Sequence, residues 1–84
     1  MFQLSVVTPS GKAFEEMVES VVAPGLMGGF EVYSHHMPML CALKIGKVRI
    51  KKEGKDIKSF KIDSGILEVN ARHDVLLLAD QITG

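Results

Sequence analysis

The chain has 84 residues, 46% of them hydrophobic and 24% charged. It is too apolar for a disordered tail and too short for two independently folding units, so it reads as one domain spanning residues 1–84. Ten basic and ten acidic side chains cancel, which removes the broad positive field of most nucleic-acid binders and makes any basic patch local. The lone cysteine, Cys41, has no partner for an intramolecular disulfide, and the N-terminus shows no charged-then-apolar export signal. Both features point to a reducing, cytosolic compartment. The longest unbroken apolar run, Val75 to Ala79, falls far below the roughly 20 residues of a spanning helix.

In chain order, short runs rich in Val, Ile, Phe and Leu are punctuated by Pro, Gly, Ser, Asn or Asp, the rhythm of strands and turns. Phe2, Leu4 and Val6 alternate with polar residues up to the turn Thr8-Pro9-Ser10-Gly11. Val18 to Ala23 and Phe30 to Ser34 follow as strands, separated by the glycine-rich loop Pro24 to Gly29. A helix over Ala13 to Val21 is the one alternative, because Phe14, Met17, Val18 and Val21 share a helical stripe, although three valines at 18, 21 and 22 favour a strand. Met39 to Lys44 is the next strand. Val48 to Lys52 and Ile57 to Asp63 form a hairpin about Glu53-Gly54-Lys55, with Val48, Ile50, Phe60 and Ile62 on the core face. Ile66 to Asn70 and Val75 to Asp80 form a second pair, and the later strand, with consecutive branched aliphatics, reads as centrally buried. The pattern implies an all-β sandwich or closed barrel of many short strands.

Candidate chemistry is sparse. His35, His36, Cys41 and His73 are potential zinc ligands. Adjacent histidines point to opposite faces of an extended strand, and no Cys-x-x-Cys or His-x₃-His accompanies them. One loop histidine is instead expected to anchor the turn before Pro38, and Cys41 to behave as a small buried hydrophobe. Asp63-Ser64-Gly65 imitates the Asp-Ser/Thr-Gly signature of dimeric retroviral-type aspartic proteases, in which two carboxylates share a proton across a two-fold axis. The simpler reading is a turn in which Asp63 caps the reversal and Gly65 supplies an unusual dihedral. Gly25, Gly28 and Gly29 lack the Lys-Ser/Thr pair and the helix that a phosphate loop needs. Lys47, Arg49, Lys51, Lys52, Lys55, Lys58 and Lys61 put seven cations on one hairpin, a possible track for a nucleic-acid backbone. Phe60 alone interleaves with them, so a solvated face is favoured.

Seven phrases in order are distinctive. They are Val7-Thr8-Pro9, Val18 to Val22, Pro24-Gly25, Gly28-Gly29-Phe30-Glu31-Val32, His36-Met37-Pro38, Lys44 to Ile50, and Ser64-Gly65-Ile66-Leu67-Glu68-Val69. Together they resemble the epsilon subunit of the F-type rotary ATP synthase. That resemblance implies a ten-stranded sandwich of two five-stranded sheets, without the C-terminal helical hairpin that most members carry. It also implies a non-catalytic rotor subunit of the central stalk, on the cytoplasmic side of the bacterial membrane, with no cofactor, metal, nucleic acid or small-molecule substrate. The implied partners are the gamma subunit, through a flank including Thr8, His36 and Cys41, and the c-ring, through Leu26, Met27, Gly28, Gly29 and Phe30. Many members have an acidic residue where Gly29 stands and a glycine where Glu31 stands, so apolar contact from Leu26 and Met27 is expected in place of a polar one. With the chain ending at Gly84, where the hairpin would begin, neither self-inhibition nor a nucleotide site is expected.

Overall fold

The computed structural model describes all residues 1–84 and contains ten strands and no helix. These are β1 (Phe2–Thr8), β2 (Gly11–Val18), β3 (Ser20–Gly25), β4 (Gly28–Tyr33), β5 (Met39–Leu43), β6 (Gly46–Lys52), β7 (Lys55–Ile62), β8 (Gly65–Val69), β9 (Val75–Ala79) and β10 (Ile82–Thr83). They divide into two five-stranded sheets, β10-β7-β6-β3-β4 and β5-β8-β9-β1-β2, joined at a corner by the single pair Gly25↔Leu43. All neighbours are antiparallel except β1 and β9, where Leu4 to Val7 run parallel to Val75 to Leu78. The strands alternate in direction, so the turns collect at two ends of the sandwich.

Period-two alternation places the core. Phe2, Leu4 and Val6 of β1 point inward with Leu67 and Val69 of β8 and Val75, Leu77 and Ala79 of β9. Val21, Ala23, Val32, Val48, Ile50, Phe60 and Ile62 meet them from the other sheet. The β6–β7 hairpin carries the inward face expected of it, around the two-residue turn Glu53-Gly54, both residues with positive φ (55° and 76°). That geometry suits the twist of the flanking strands.

Three expectations require correction. The helical alternative over Ala13 to Val21 is not adopted: Gly11–Val18 is the edge strand β2, paired along its length with β1, and Ser20–Gly25 is β3. Pairing with β1 decides its conformation against the local helical stripe of Phe14, Met17 and Val18. The strand β9 is central in its sheet but is not buried on both faces, since Leu78 is 44% exposed. Gly65 has no unusual dihedral. It is required by close approach instead, because a Cβ there would lie 2.2 Å from the carbonyl oxygen of Leu78.

Candidate functional site

The outer face of the β5-β8-β9-β1-β2 sheet is the most informative surface. Cys41, Leu67, Leu77 and Val6 occupy one cross-strand row and face inward, so the adjacent row Ala42, Ile66, Leu78 and Val7 faces out. Leu40 and Leu76 extend this row on the same face, with Glu68 between them. Leu40, Ile66 and Leu78 are 72%, 43% and 44% exposed. Contiguous aliphatic surface on a sheet face marks a partner site more often than chance exposure does. A shallow groove continues the patch past Gly65 to Thr8 and Pro9, where the absence of a side chain at residue 65 lets the strands approach closely.

At one end of the sandwich the β3–β4 and β5–β6 turns interlock. Leu26 N donates to Ala42 O and Lys44 N to Pro24 O, both at 2.9 Å. Gly25 is buried in this turn, where a Cβ would meet Gly28 O at 2.5 Å and the Phe30 ring at 2.8 Å, and Gly28 takes φ 135°. The glycines therefore serve a tight reversal. It lifts Met27 almost wholly into solvent (98% exposed), with Leu26 also exposed and Gly29 bare. Cys41 is half-buried, not buried, because β5 is an edge strand and its thiol side lines the hollow beneath Leu26 to Phe30.

Thr8 belongs to this same end. Its Oγ1 donates to Gly11 O and accepts from Ser10 N, closing the β1–β2 turn. His36 lies at the opposite end, more than about 13 Å from Thr8 by the length of β1 between them. There its Nδ1 donates to Met37 O (2.8 Å) ahead of Pro38, and its own carbonyl accepts from His73 Nδ1 (3.0 Å). Thr8, His36 and Cys41 thus do not form one cluster; they border the second sheet at its two ends and its β5 edge. Of the four soft-metal candidates, only His35 and His73 come together, edge to face with ring centroids 5.4 Å apart. Nowhere do three or more imidazole, thiol or carboxylate groups converge.

The outer face of the other sheet is polar and internally satisfied. Glu31 accepts from Ser20 Oγ (2.8 Å) and lies 3.6 Å from Lys51 Nζ, with Tyr33 two residues along the same strand on the same face. The Ser20 hydroxyl first, and then the Tyr33 hydroxyl, hold its carboxyl below the usual carboxylate range, and Glu31 in turn pushes the Tyr33 phenol up. The acid at position 31 therefore braces β3, β4 and β6 together. Arg49 pairs with Asp56 at 3.6 Å, so two of the seven hairpin cations are partly neutralised. Phe60 faces the core, leaving no stacking platform among them.

Comparison with known proteins settles the family. Residues 1–84 match the β-sandwich domain of the ATP synthase delta/epsilon chain. The chain belongs to that family. It is 44% identical over 79 residues to the ATP synthase epsilon chain of Chlorobium limicola, covering 94% of this chain and 90% of the relative. With the Chlorobaculum tepidum epsilon chain it shares 42% over 76 residues, covering 90% and 86%. With that of Syntrophobacter fumaroxidans it shares 41% over 81 residues, covering 96% of this chain but 54% of the relative. The fold matches a chain in the Euglena gracilis mitochondrial ATP synthase with a TM-score of 0.88 at 19% identity, covering 98% of this chain and 52% of that one. It matches a chain in the central stalk and c-ring structure of the Tetrahymena thermophila enzyme at 0.84 and 13%, covering 96% and 64%. The chain thus spans about half to two thirds of those solved chains. Membership makes it an epsilon-type, non-catalytic subunit of the ATP synthase.

Membership in a family of non-catalytic subunits sets the aspartic protease reading aside. The geometry of the Asp-Ser-Gly turn has its own explanation. Ser64 Oγ donates to Asp80, Asp80 N donates to Ser64 O (3.1 Å), and Asp63 N reaches Gln81 O (3.4 Å). These bonds tie the β7–β8 turn to the β9–β10 turn. Sequence reasoning missed the outward apolar row. Its available signal was the unalternating run Val75 to Leu78.

Proposed function

We propose that this chain is a rotor subunit of the central stalk, coupling rotation of the c-ring to the catalytic head by bracing gamma, on the cytoplasmic side of the membrane. The observation that carries the reading is the apolar row Val7, Ala42, Ile66 and Leu78, with Leu40 and Leu76, on an otherwise alternating sheet. Gamma covers this face. Thr8 and His36 then border the contact at its two ends, with Cys41 on the β5 edge. The turn Leu26, Met27, Gly28, Gly29 and Phe30 meets the ring through its two apolar tips. Gly29 offers the ring no side chain, and Glu31 is already engaged by Ser20, Tyr33 and Lys51.

Torque transmission needs stiffness more than chemistry. A close-packed sandwich core deforms little under load, and the interlocked turns beneath Leu26 and Met27 connect the ring-facing tip directly to both sheets. The test is co-elution of the chain with a gamma-containing catalytic subcomplex. Wild type and Met27→Asp are expected to co-elute, whereas His36→Glu and a variant with the outer row made polar are not. In the assembled enzyme, Leu26→Asp with Met27→Asp is expected to leave ATP hydrolysis intact while reducing ion pumping. Retained gamma binding by the polar-row variant would refute the interface.

A further inference from the structure

The end of the sandwich opposite Leu26 and Met27 holds a feature that the proposed gamma and ring contacts do not use. His35, in the β4–β5 connection, and His73, in the β8–β9 turn, are distant in sequence yet meet with ring centroids 5.4 Å apart. Both are held at positive φ, 63° and 66°, and they are two of only three non-glycine residues in the chain with that backbone. Such conformations persist only where the surrounding structure imposes them. His73 Nδ1 lies 3.0 Å from His36 O. A carbonyl only accepts, so Nδ1 carries the proton and Nε2 keeps its lone pair. Both rings line a hollow of about 200 Å³ together with Met17 of β2 and Met1, which are 47% and 64% exposed. Arg72 and Asp74 also border it, and their opposite charges offset.

We propose that this hollow binds one soft monovalent ion of the copper(I) class, held by His73 Nε2, a ring nitrogen of His35 and the Met17 thioether, with Met1 placed to add a second sulfur. Two imidazoles bound at about 2 Å to one three-coordinate ion put their ring centres about 5–6 Å apart. The observed separation of 5.4 Å is already of that size, so binding asks the rings to turn within the hollow and leaves the spacing of their centres nearly unchanged. The contact between His73 and His36 is the arrangement that metal-bound imidazoles ordinarily have, with one nitrogen donating to a carbonyl and the other left for the ion. The donor set selects the ion. Thioethers favour copper(I), whereas a tetrahedral zinc site would need a further imidazole, thiolate or carboxylate, and no third such group converges here. The single thiol, Cys41, lines a different hollow, beneath Leu26 to Phe30.

The test is titration of the full chain carrying Cys41→Ser with silver nitrate in chloride-free buffer, followed by NMR of the histidine rings and methionine methyls. Silver(I) is a redox-stable probe of this donor set, and removing Cys41 removes the thiol that would otherwise capture it. One equivalent is expected to saturate the site, moving His35, His73 and the Met17 methyl together. Met27, the most exposed thioether at 98%, should stay in place, whereas binding governed by exposure alone would move it first. Zinc sulfate is expected to leave the Met17 methyl unmoved. Met17→Leu, which keeps the size of the side chain and lacks its sulfur, and His73→Gln should each weaken silver binding by about tenfold or more, with circular dichroism showing that each is folded. If His73→Gln does not fold, Met17→Leu decides alone. Equal response of Met27 and Met17, no saturation at one equivalent, or unchanged affinity in folded Met17→Leu would overturn the proposal. So would a chain that binds silver(I) but not copper(I) supplied anaerobically. Every readout uses this chain without other subunits, so failure here leaves docking on gamma untouched.

Discussion

Replacing Leu40, Ile66 and Leu78 together by Thr tests the proposed gamma interface quantitatively. The three residues are 72%, 43% and 44% exposed, so between them they leave roughly one and a half side chains of apolar surface in water. At about 1.5–3 kcal/mol per fully buried aliphatic side chain, covering them contributes about 2–5 kcal/mol to association. Threonine keeps the branched stem that strands favour while removing most of that gain. The dissociation constant for gamma should therefore rise by about 30-fold to 5,000-fold. Stability should fall less, because the sheet loses only the part of these side chains already shielded by neighbours. Titration of labelled chain against a gamma-containing subcomplex at 25 °C gives the affinity, and a melt followed by circular dichroism shows that the variant is folded. An unchanged affinity in a folded variant would refute the reasoning, since no other apolar surface of comparable size lies on the second sheet.

Four further outcomes follow from local geometry. Tyr33 is the only tyrosine and there is no tryptophan, so ultraviolet titration reads it alone; its phenol should ionise above the usual value of about 10, and Glu31→Gln should return it there. The Glu31 carboxyl is held low in the folded chain, so its contribution to stability is present above the ordinary carboxylate range and is lost as pH falls through the lowered value. Tyr33, held high, contributes below the ordinary phenol value and loses that contribution as pH rises through the raised one, so Glu31→Gln should flatten thermal stability at both extremes. Gly65→Ala drives a Cβ into the Leu78 carbonyl and should cost about 2 kcal/mol, lowering the melting temperature by roughly 8–16 °C; an unchanged melt would show that β8 and β9 can separate freely. Leu77→Ala, at a position with no exposure, should cost about 2–5 kcal/mol by leaving a cavity, without the affinity signature of the outer row.

The β6–β7 hairpin was legible because two local signals agreed: alternation placed Val48, Ile50, Phe60 and Ile62 on one face, and Gly54 marked the reversal. The order of turns and short strands was legible enough to place the chain in its family. Strand β2 was not, because an edge strand with one half-buried aromatic, Phe14, and charged neighbours carries little alternation. Its decisive contact is the distant pairing Val6↔Phe14 and Phe2↔Val18. Strand β10, two residues long, exists only through Ile62 and Lys61. Gly65 looked like a turn residue from its neighbours Asp63 and Ser64, whereas its requirement comes from Leu78, far along the chain.

The interface was half legible for a physical reason. The run Val75-Leu76-Leu77-Leu78-Ala79 signals burial on both faces of a strand, and hydrophobicity alone does not say which molecule supplies the cover. Val75, Leu77 and Ala79 are covered by the opposite sheet of the same chain, whereas Leu78 stands 44% exposed in the isolated chain. A continuous aliphatic strand with one face open is the pattern expected if the proposed partner supplies the other half of its burial. The departure at Glu31 fits the same picture. The acid reinforces the sheet through Ser20, Lys51 and Tyr33 while the neighbouring tip carries only apolar and basic groups. On the proposed reading, contacts with gamma and with the ring are divided between two surfaces, held in fixed relation by one small core.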